Sequence, residues 1–154
     1  MRGRAVRHGD AEMTVRVEHS IEIERAPRDV FDYLTDLGSI AAWQSSVVEA
    51  RCDTPLAAGV AWREVRRFMG RTVEGAMVVT EFEPHRRFAA ASADRQLPVR
   101  FGWDLEPTPA GTRVTFSAEA AGSFGLAGPL LTRTAKKQVQ ADLATAKRLL
   151  EARP

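Results

Sequence analysis

The sequence predicts an α+β domain in which a curved antiparallel sheet of seven strands carries one long C-terminal helix, with two short helices after the first strand. Two observations support this class. Between residues 129 and 151, apolar side chains recur at spacings of three and four, the period of one helix face. The stretches before this helix alternate apolar and polar residues and are joined by short loops, as in antiparallel strands. Because an amphipathic helix must bury its apolar stripe, the preceding sheet is its expected partner.

The first third of the chain contains a strand and two short helices. Residues 15–23 alternate strictly and predict a strand with one wet face. Pro27–Thr35 predicts a short helix, because proline is tolerated in a first turn. Ser39–Trp43 predicts a second one. Residues 1–13 are basic and lack a pattern, so we expect a disordered extension, with a single domain over 14–152 and Met13 as a possible natural start.

Six further strands are expected before the final helix, and a glycine-rich linker over 122–128 leads into it. A long antiparallel sheet twists and curls rather than staying flat. We therefore expect a cavity between its concave side and the helix. The predicted strands are Val47–Cys52, Ala61–Met69, Arg71–Phe82, Arg87–Ser92, Pro98–Glu106 and a seventh one that follows the loop Pro107–Gly111.

Composition excludes several classes of protein. The 154 residues carry 22 basic and 20 acidic side chains, a net charge of +2, and no basic run interleaved with aromatics, so we expect no nucleic-acid partner. No window approaches the roughly 20 apolar residues of a membrane span, so we expect no stable membrane insertion. The single cysteine and the absence of a signal-like apolar segment favour the cytoplasm. The three histidines and the cysteine lack metal-ligand spacing, and we predict no metal and no cofactor.

Several local strings follow one another in a characteristic order. They are Arg25-Ala26-Pro27-Arg28-Asp29-Val30-Phe31, then Asp36-Leu37 with Trp43, Gly59 with Trp62-Arg63-Glu64, Thr80-Glu81-Phe82-Glu83-Pro84-His85-Arg86-Arg87-Phe88, Gly111-Thr112-Arg113-Val114, and Asp142-Leu143 with Lys147. In this order and spacing they resemble the polyketide cyclase/dehydrase and lipid-transport group of the START / Bet v 1-like (SRPBCC) superfamily. The resemblance covers about residues 14 to 151.

The resemblance implies a helix-grip fold, in which the curved sheet wraps around the C-terminal helix and an apolar pocket. It also implies a hydrophobic or aromatic small molecule, or a lipid, as ligand. Members of this group include carriers and cyclases, so the alternative is a cyclase, aromatase or dehydratase acting on a polyketide-like substrate in the same cavity. A third, weaker hypothesis is a protein-interaction or stress-associated role with a collapsed cavity. We expect a monomer or a weak homodimer.

Eleven residues are candidates for contact with the ligand, with ordinary core packing as the alternative for each. Trp43 has a further alternative, which is to anchor the short helices on the sheet. The candidates are Trp43, Trp62, Phe68, Met77, Phe101, Trp103 and Phe116 from the strands and short helices, and Leu131, Ala135, Val139 and Asp142 from the final helix.

Three ionisable residues are candidate catalytic groups. His19 interrupts an apolar strand face and could act as an acid or base, unless it is a core histidine with one hydrogen bond. Glu64 and Arg66 share a strand face with Trp62 and Phe68, and they form an acid–base pair only if that face is concave. The opposite register of this strand stays open, because its other face is no less apolar.

Asp142 is an anomaly in the apolar stripe of the final helix. A carboxylate that faces a pocket is costly unless it is paired, so we expect a polar partner on the sheet, with Arg66 or His19 as candidates. Gln138, one turn earlier, is a further candidate partner. The alternative is an edge carboxylate that reaches solvent.

Overall fold

The computed structural model describes residues 15–68, 70–94, 98–122 and 125–154, apart from the side chain of residue 68. The predicted disordered extension, 1–13, lies outside the described residues. The elements in chain order are β1 (Val15–Ile23), α1 (Pro27–Leu34), α2 (Ile40–Trp43), β2 (Val47–Arg51), β3 (Ala61–Phe68), β4 (Arg71–Glu83), β5 (Arg87–Ser92), β6 (Val99–Pro107), β7 (Thr112–Ala120), a 3₁₀ turn (Gly125–Ala127) and α3 (Gly128–Glu151).

The predicted fold class is confirmed. The strands form one antiparallel sheet in the order β1-β7-β6-β5-β4-β3-β2, and α3 packs across it. Strands that follow each other in the chain pair with each other, except that β1 pairs with β7. Because β1 and β2 then lie at opposite edges of the sheet, α1 and α2 form the connection between those edges. The expected linker contains the 3₁₀ turn, and α3 begins one residue before the predicted Pro129.

Irregular pairing and one glycine contribute to the shape of the sheet. The register shifts between Val47 and Glu49 in β2 and between Val79 and Glu81 in β4. Such bulges increase local twist and bend the strand that carries them. Gly102 of β6 lies so close to β5 that a Cβ atom there would stand 2.6 Å from the backbone oxygen of Phe88. The sheet therefore requires glycine at this position.

The hydrophobic core lies between the inner face of the sheet and the C-terminal half of α3. Large side chains from the middle strands, Trp62, Phe88 and Trp103, are buried there. The helix contributes Leu143, Ala146 and Leu150, which are also buried. Burying each large side chain contributes about 1.5–3 kcal/mol, so this half of α3 is held firmly.

Polar contacts fasten the C-terminal end of α3 to the end of β1. The Arg25 guanidinium donates to the backbone oxygens of Glu151 and Arg153 at 2.7 and 2.6 Å. The Glu24 amide donates to a Glu151 carboxylate oxygen at 3.0 Å, and Lys147 Nζ donates to the same oxygen at 2.6 Å. The hydrogen bond from Lys147 is the main cause of the lowered pKa of Glu151. The two bonds from Arg25 satisfy backbone carbonyls that would lack partners at a helix end.

Replacing Gly102 with alanine is expected to destabilise the protein by about 1–3 kcal/mol, because the new methyl group collides with backbone that cannot move independently. Urea denaturation measures the change. Gly75→Ala in β4 is the matched control, since a Cβ there meets nothing within 4 Å. We expect the control to be neutral or stabilising by up to about 1 kcal/mol. Equal stability of the two variants would contradict the close-approach explanation.

Candidate functional site

The inner face of β3 carries the charged pair that the sequence left in an uncertain register. The inward orientation is the one that the structure has. The Glu64 side chain is 6% exposed and that of Arg66 32%, whereas Arg63 and Arg67 are exposed. Antiparallel pairing also sets Trp62 opposite Met77, and both are buried. Strand alternation thus directs Trp62, Glu64 and Arg66 towards the helix side of the sheet.

Aromatic rings form a continuous floor on this inner face. Phe88 and Trp103 stack with ring centroids 4.9 Å apart, and Phe101 and Phe116 lie 5.8 and 6.2 Å from Trp103. Trp43 of α2 meets Trp103 edge-on at 6.0 Å. Trp43 and Trp103 are almost fully buried, whereas Phe101 and Phe116 are only partly buried. The exposed part of the floor is therefore its β6–β7 side.

Two buried indole N–H groups in this floor have no hydrogen-bond partner among the residues described. They belong to Trp43 and Trp103. The indole of Trp62, by contrast, donates to Glu64 Oε2 at 3.1 Å. A buried donor without a partner costs about 1–3 kcal/mol. The floor therefore has unused capacity to donate to a polar atom.

The burial of α3 is unequal along its length. The helix begins where β7 ends and finishes beside Arg25, at the far end of the sheet. Its C-terminal half is buried, as described above, but Leu131, Ala135 and Val139 in its N-terminal half remain partly exposed. The partly exposed Phe101 and Phe116 belong to β6 and β7 and face the same side of the sheet. From this unequal burial we infer an apolar space between the N-terminal half of α3 and the sheet, and we call it the wedge-shaped gap.

A polar network borders the inner face where β3 meets the end of α2. Arg66 Nε donates to Glu64 Oε1 at 2.5 Å, and its two terminal nitrogens donate to Ser46 Oγ at 3.0 Å and to Gln44 Oε1 at 3.2 Å. Gln44 is buried. The side chains of this cluster thereby provide hydrogen-bond partners for one another, as buried charges require. The cluster consists of Gln44, Ser46, Glu64 and Arg66. Gln44, Ser45 and Ser46 were not among the predicted site residues, although three consecutive polar residues between an apolar helix face and a strand are a usable signal.

Asp142 joins α3 to the same loop. Its Oδ1 accepts hydrogen bonds from the Ser45 amide at 3.1 Å and from the Ser45 hydroxyl at 2.8 Å. Burial raises the pKa of Asp142, while the bonds from Ser45 and the charge of Arg66 act in the opposite direction. We expected a polar partner of Asp142 on the sheet, with Arg66 or His19 as candidates. The hydrogen bonds come instead from Ser45 in the α2–β2 loop, while Arg66 acts on the carboxylate through its charge. Gln138 donates to Ser45 Oγ at 3.4 Å rather than to Asp142.

The remaining predicted residues have different surroundings. His19 is partly buried on the inner face of β1, opposite Phe116, and makes no side-chain hydrogen bond or ion pair with the described part of the chain. Its strand is separated from β3 by four others in the sheet order, and the structure shows no bond between His19 and the Glu64–Arg66 pair. Met77 is a core residue beside Trp62. The side chain of Phe68 lies outside what the structure describes.

A groove of about 530 Å³ lies on the outer face of the sheet. Its walls carry three arginines and three glutamates, and most of these charges already pair with one another. Arg87 bonds Glu81 at 2.6 Å, and Arg16 and Arg100 both approach Glu119. We therefore place the candidate site on the inner face, where rings and unsatisfied donors occur together.

Replacing Glu64 with glutamine is expected to destabilise the fold by about 1–3 kcal/mol, because Arg66 loses the carboxylate that balances its charge. Glu81→Gln is the control, since Glu81 also pairs with an arginine but is half exposed. We expect the control to cost less than about 1 kcal/mol. Chemical denaturation of both variants measures the difference, and equal losses would refute a special role for the inner pair.

Asp142 should make the protein less stable as pH rises. Its pKa in the folded state lies above the ordinary aspartate value, so the folded state binds more protons than the unfolded state in the window between the two values. Stability from this group falls through that window and stays reduced above it. Asp142→Asn removes the dependence, so the variant gains stability relative to the parent as pH increases from 4 to 7. Denaturation midpoints across this range test the sign, and a pH-independent difference would contradict it.

Comparisons with known proteins agree with this architecture. The family model described as "Polyketide cyclase / dehydrase and lipid transport" matches residues 14–152. No curated protein matches the sequence. Among solved structures, a protein from Mesorhizobium loti is similar with a TM-score of 0.69 and 19% identity, over 90% of this chain and 98% of that one. A protein from Thermus thermophilus gives 0.65 and 22%, over 90% and 94%.

The di-domain ARO/CYC protein BexL, from the BE-7585A biosynthetic pathway, is similar with a TM-score of 0.73 and 21% identity. The alignment covers 94% of this chain and 52% of BexL, so the chain spans about half of that protein. At such identities the solved structures establish the fold alone. The family match extends over nearly the whole domain, and on this ground the chain belongs to the polyketide cyclase/dehydrase and lipid-transport family.

Proposed function

We propose that the protein binds a hydrophobic or aromatic small molecule, or the apolar part of a lipid, in the wedge-shaped gap. The observation that carries the proposal is the unequal burial of α3. Its C-terminal half is sealed against the sheet, while Leu131, Ala135 and Val139 stay partly exposed opposite partly exposed rings. A soluble fold gains nothing by leaving two apolar layers apart, because closing them would bury more apolar surface. A ligand that fills the gap recovers that burial.

The walls of the gap favour a flat or unsaturated ligand. Phe101 and Phe116 offer ring surface at 6.2 Å from each other, and rings prefer offset or edge contacts with other rings. Leu131 and Val139 offer aliphatic surface from the opposite side. Each additional 100 Å² of apolar surface removed from water contributes about 2.5 kcal/mol before the cost of association. Affinity should therefore follow the apolar area of the ligand.

Polar groups at the border of the gap provide orientation. About a third of the Arg66 side chain, 32%, is accessible, and Asp142 is half-buried near it on α3. His19 lies on the opposite side, on β1. A ligand with an apolar body and one carbonyl, hydroxyl or carboxylate group could place that group against Arg66, as buried sites with a few polar groups do for orientation. The family description, which names both polyketide chemistry and lipid transport, supports this class of ligand.

Filling the gap should abolish binding without unfolding the protein. Ala135→Trp introduces a large ring from α3 into the gap, and we expect it to weaken binding of 2-acetylnaphthalene at least ten-fold. Ala141→Trp is the matched control, because Ala141 is exposed on the same helix. Isothermal titration calorimetry measures the affinities, because its signal does not depend on the added tryptophan. Thermal unfolding midpoints show whether each variant is folded. Equal affinity of the two variants would refute the proposed site.

The natural ligand can be identified by native mass spectrometry of the protein isolated from its own host. A retained apolar molecule that is lost in Ala135→Trp but kept in Ala141→Trp would support binding in the gap. A molecule retained equally by both variants would place it elsewhere.

The second candidate function is catalysis on a polyketide-like substrate. The observation that favours it is the charged pair Glu64–Arg66 on an otherwise apolar inner face, together with the raised pKa of Asp142 across from it. Arg66 could stabilise an enolate oxygen by hydrogen bonds, and Asp142 could exchange a proton with the adjacent carbon or oxygen. Similarity to the ARO/CYC proteins BexL and StfQ supports the idea.

A turnover experiment separates this candidate from simple binding. The protein is added to a reaction that generates an unreduced poly-β-ketone, and the cyclised products are profiled by mass spectrometry. If the candidate holds, the protein changes the product pattern, Arg66→Gln abolishes the change, and Arg67→Gln on the outer face preserves it. An unchanged pattern, with binding of 2-acetylnaphthalene intact, would leave a binding protein and refute the enzyme.

A further inference from the structure

A surface at the start of α3 combines exposed leucines with unpaired positive charges. Leu126 of the 3₁₀ turn is fully exposed, at 103% of its reference area, and Leu130 is 67% exposed. Most large apolar residues of the described chain are at least partly covered, so these two protrude. The two leucines are four residues apart, and both lie at the N-terminal end of α3.

Three positively charged side chains follow Leu130 in the sequence. Arg133, Lys136 and Lys137 are all exposed, and none of them forms an ion pair with a carboxylate in the described parts of the chain. Arg133 and Lys137 stand three and seven residues after Leu130, which places both on the same helix face as this leucine. Lys136 flanks them. We call these five residues, Leu126, Leu130, Arg133, Lys136 and Lys137, the α3 patch.

The sequence around the α3 patch is free of negative charge. Between Glu119 and Asp142 it contains no acidic residue. The balanced net charge of +2 for the whole protein therefore hides a local excess of three positive charges on one short surface. Elsewhere the pattern differs, because arginines of the outer sheet face such as Arg87 and Arg100 have glutamate partners.

We propose that the α3 patch is a docking surface for a lipid bilayer with anionic headgroups. Cations beside a bilayer are attracted to acidic headgroups, and protruding leucines can enter the boundary between headgroups and acyl chains. An acidic protein would satisfy the charges, but the two exposed leucines would need a complementary apolar groove on that protein. A fluid bilayer needs no such groove. Contact at the surface is also compatible with the finding that no described helix has the length and apolar character required to cross a membrane.

The α3 patch lies close to the proposed ligand-binding gap. It adjoins the end of α3 at which helix and sheet separate, while the opposite end is fastened by Arg25 and Glu151. A bilayer that holds the patch would lie next to the open end of the gap. An apolar ligand could then pass between bilayer and gap along a short path. The docking itself does not depend on the proposed ligand, and its test uses no ligand.

Sedimentation with vesicles tests the proposal. The wild-type protein is mixed with phosphatidylcholine vesicles containing 30% phosphatidylserine, and with vesicles of phosphatidylcholine alone. We expect binding to the anionic vesicles that weakens at 0.5 M NaCl, because salt screens the charges. Each cation near such a surface contributes roughly a five-fold factor in partitioning. Arg133→Gln/Lys136→Gln/Lys137→Gln should therefore lower the partition coefficient at least ten-fold.

Two controls make the outcome specific. Arg63→Gln/Arg67→Gln/Arg113→Gln removes the same charge from exposed arginines on the outer sheet face and should bind as the wild type does. Leu126→Gln/Leu130→Gln keeps every charge and should also lower the partition coefficient at least ten-fold. Circular dichroism confirms that each variant is folded.

Several results would overturn the proposal. These are absence of binding to the anionic vesicles, equal loss in the two triple variants, or no loss in the leucine variant. Soluble polyglutamate provides the remaining arm. The protein could bind polyglutamate as strongly as it binds the vesicles, with no loss in Leu126→Gln/Leu130→Gln. That result would show that the patch attracts acidic chains by charge alone, and it would make an acidic protein the partner in place of the bilayer. Binding of 2-acetylnaphthalene, measured in parallel, shows whether the gap is affected, so the two proposals fail independently.

Discussion

Attachment of α3 at only one end is the constraint on which the rest of the structure depends. Arg25 ties the last carbonyls of the helix to the end of β1, and Leu143, Ala146 and Leu150 fill the space beneath. The other end is joined to β7 by a short glycine-containing segment and has few buried side chains. The C-terminal half of α3 therefore contributes to stability, and the N-terminal half borders the gap.

The polar cluster near β3 shows how charge is kept on an apolar face. Glu64 is nearly inaccessible, yet its oxygens meet Trp62 and Arg66, and Arg66 in turn meets Ser46 and Gln44. Ion pairs of this kind give little net stability against well-packed apolar residues, because both charges leave water. Apolar residues of similar volume often replace such pairs without loss of stability. The cluster is therefore consistent with the polar contact to a ligand that we propose for Arg66.

Much of the fold could be predicted from the sequence, because alternation and helical spacing are local signals. β5 matches its predicted bounds, and β3 and α3 differ from theirs by one residue at one end. The site was less accessible. The inward register of β3 was undetermined because its two faces are similarly apolar, and pairing with β4 decides it. The Ser45–Asp142 bond joins residues 97 positions apart, so only the approach of α2 to α3 reveals it.

Asp142 was predicted as an anomaly of the apolar stripe, but its hydrogen-bond partner, Ser45, was not predicted. Helical spacing alone places a carboxylate at the edge of an apolar stripe, and burial then raises its pKa. Which donor offsets that burial depends on a loop whose path follows from the crossing of α1 and α2 between the edges of the sheet. Ser45 ends up opposite α3 for that reason. Asp142 therefore joins the C-terminal half of the helix, one residue before the buried Leu143, to the α2–β2 loop.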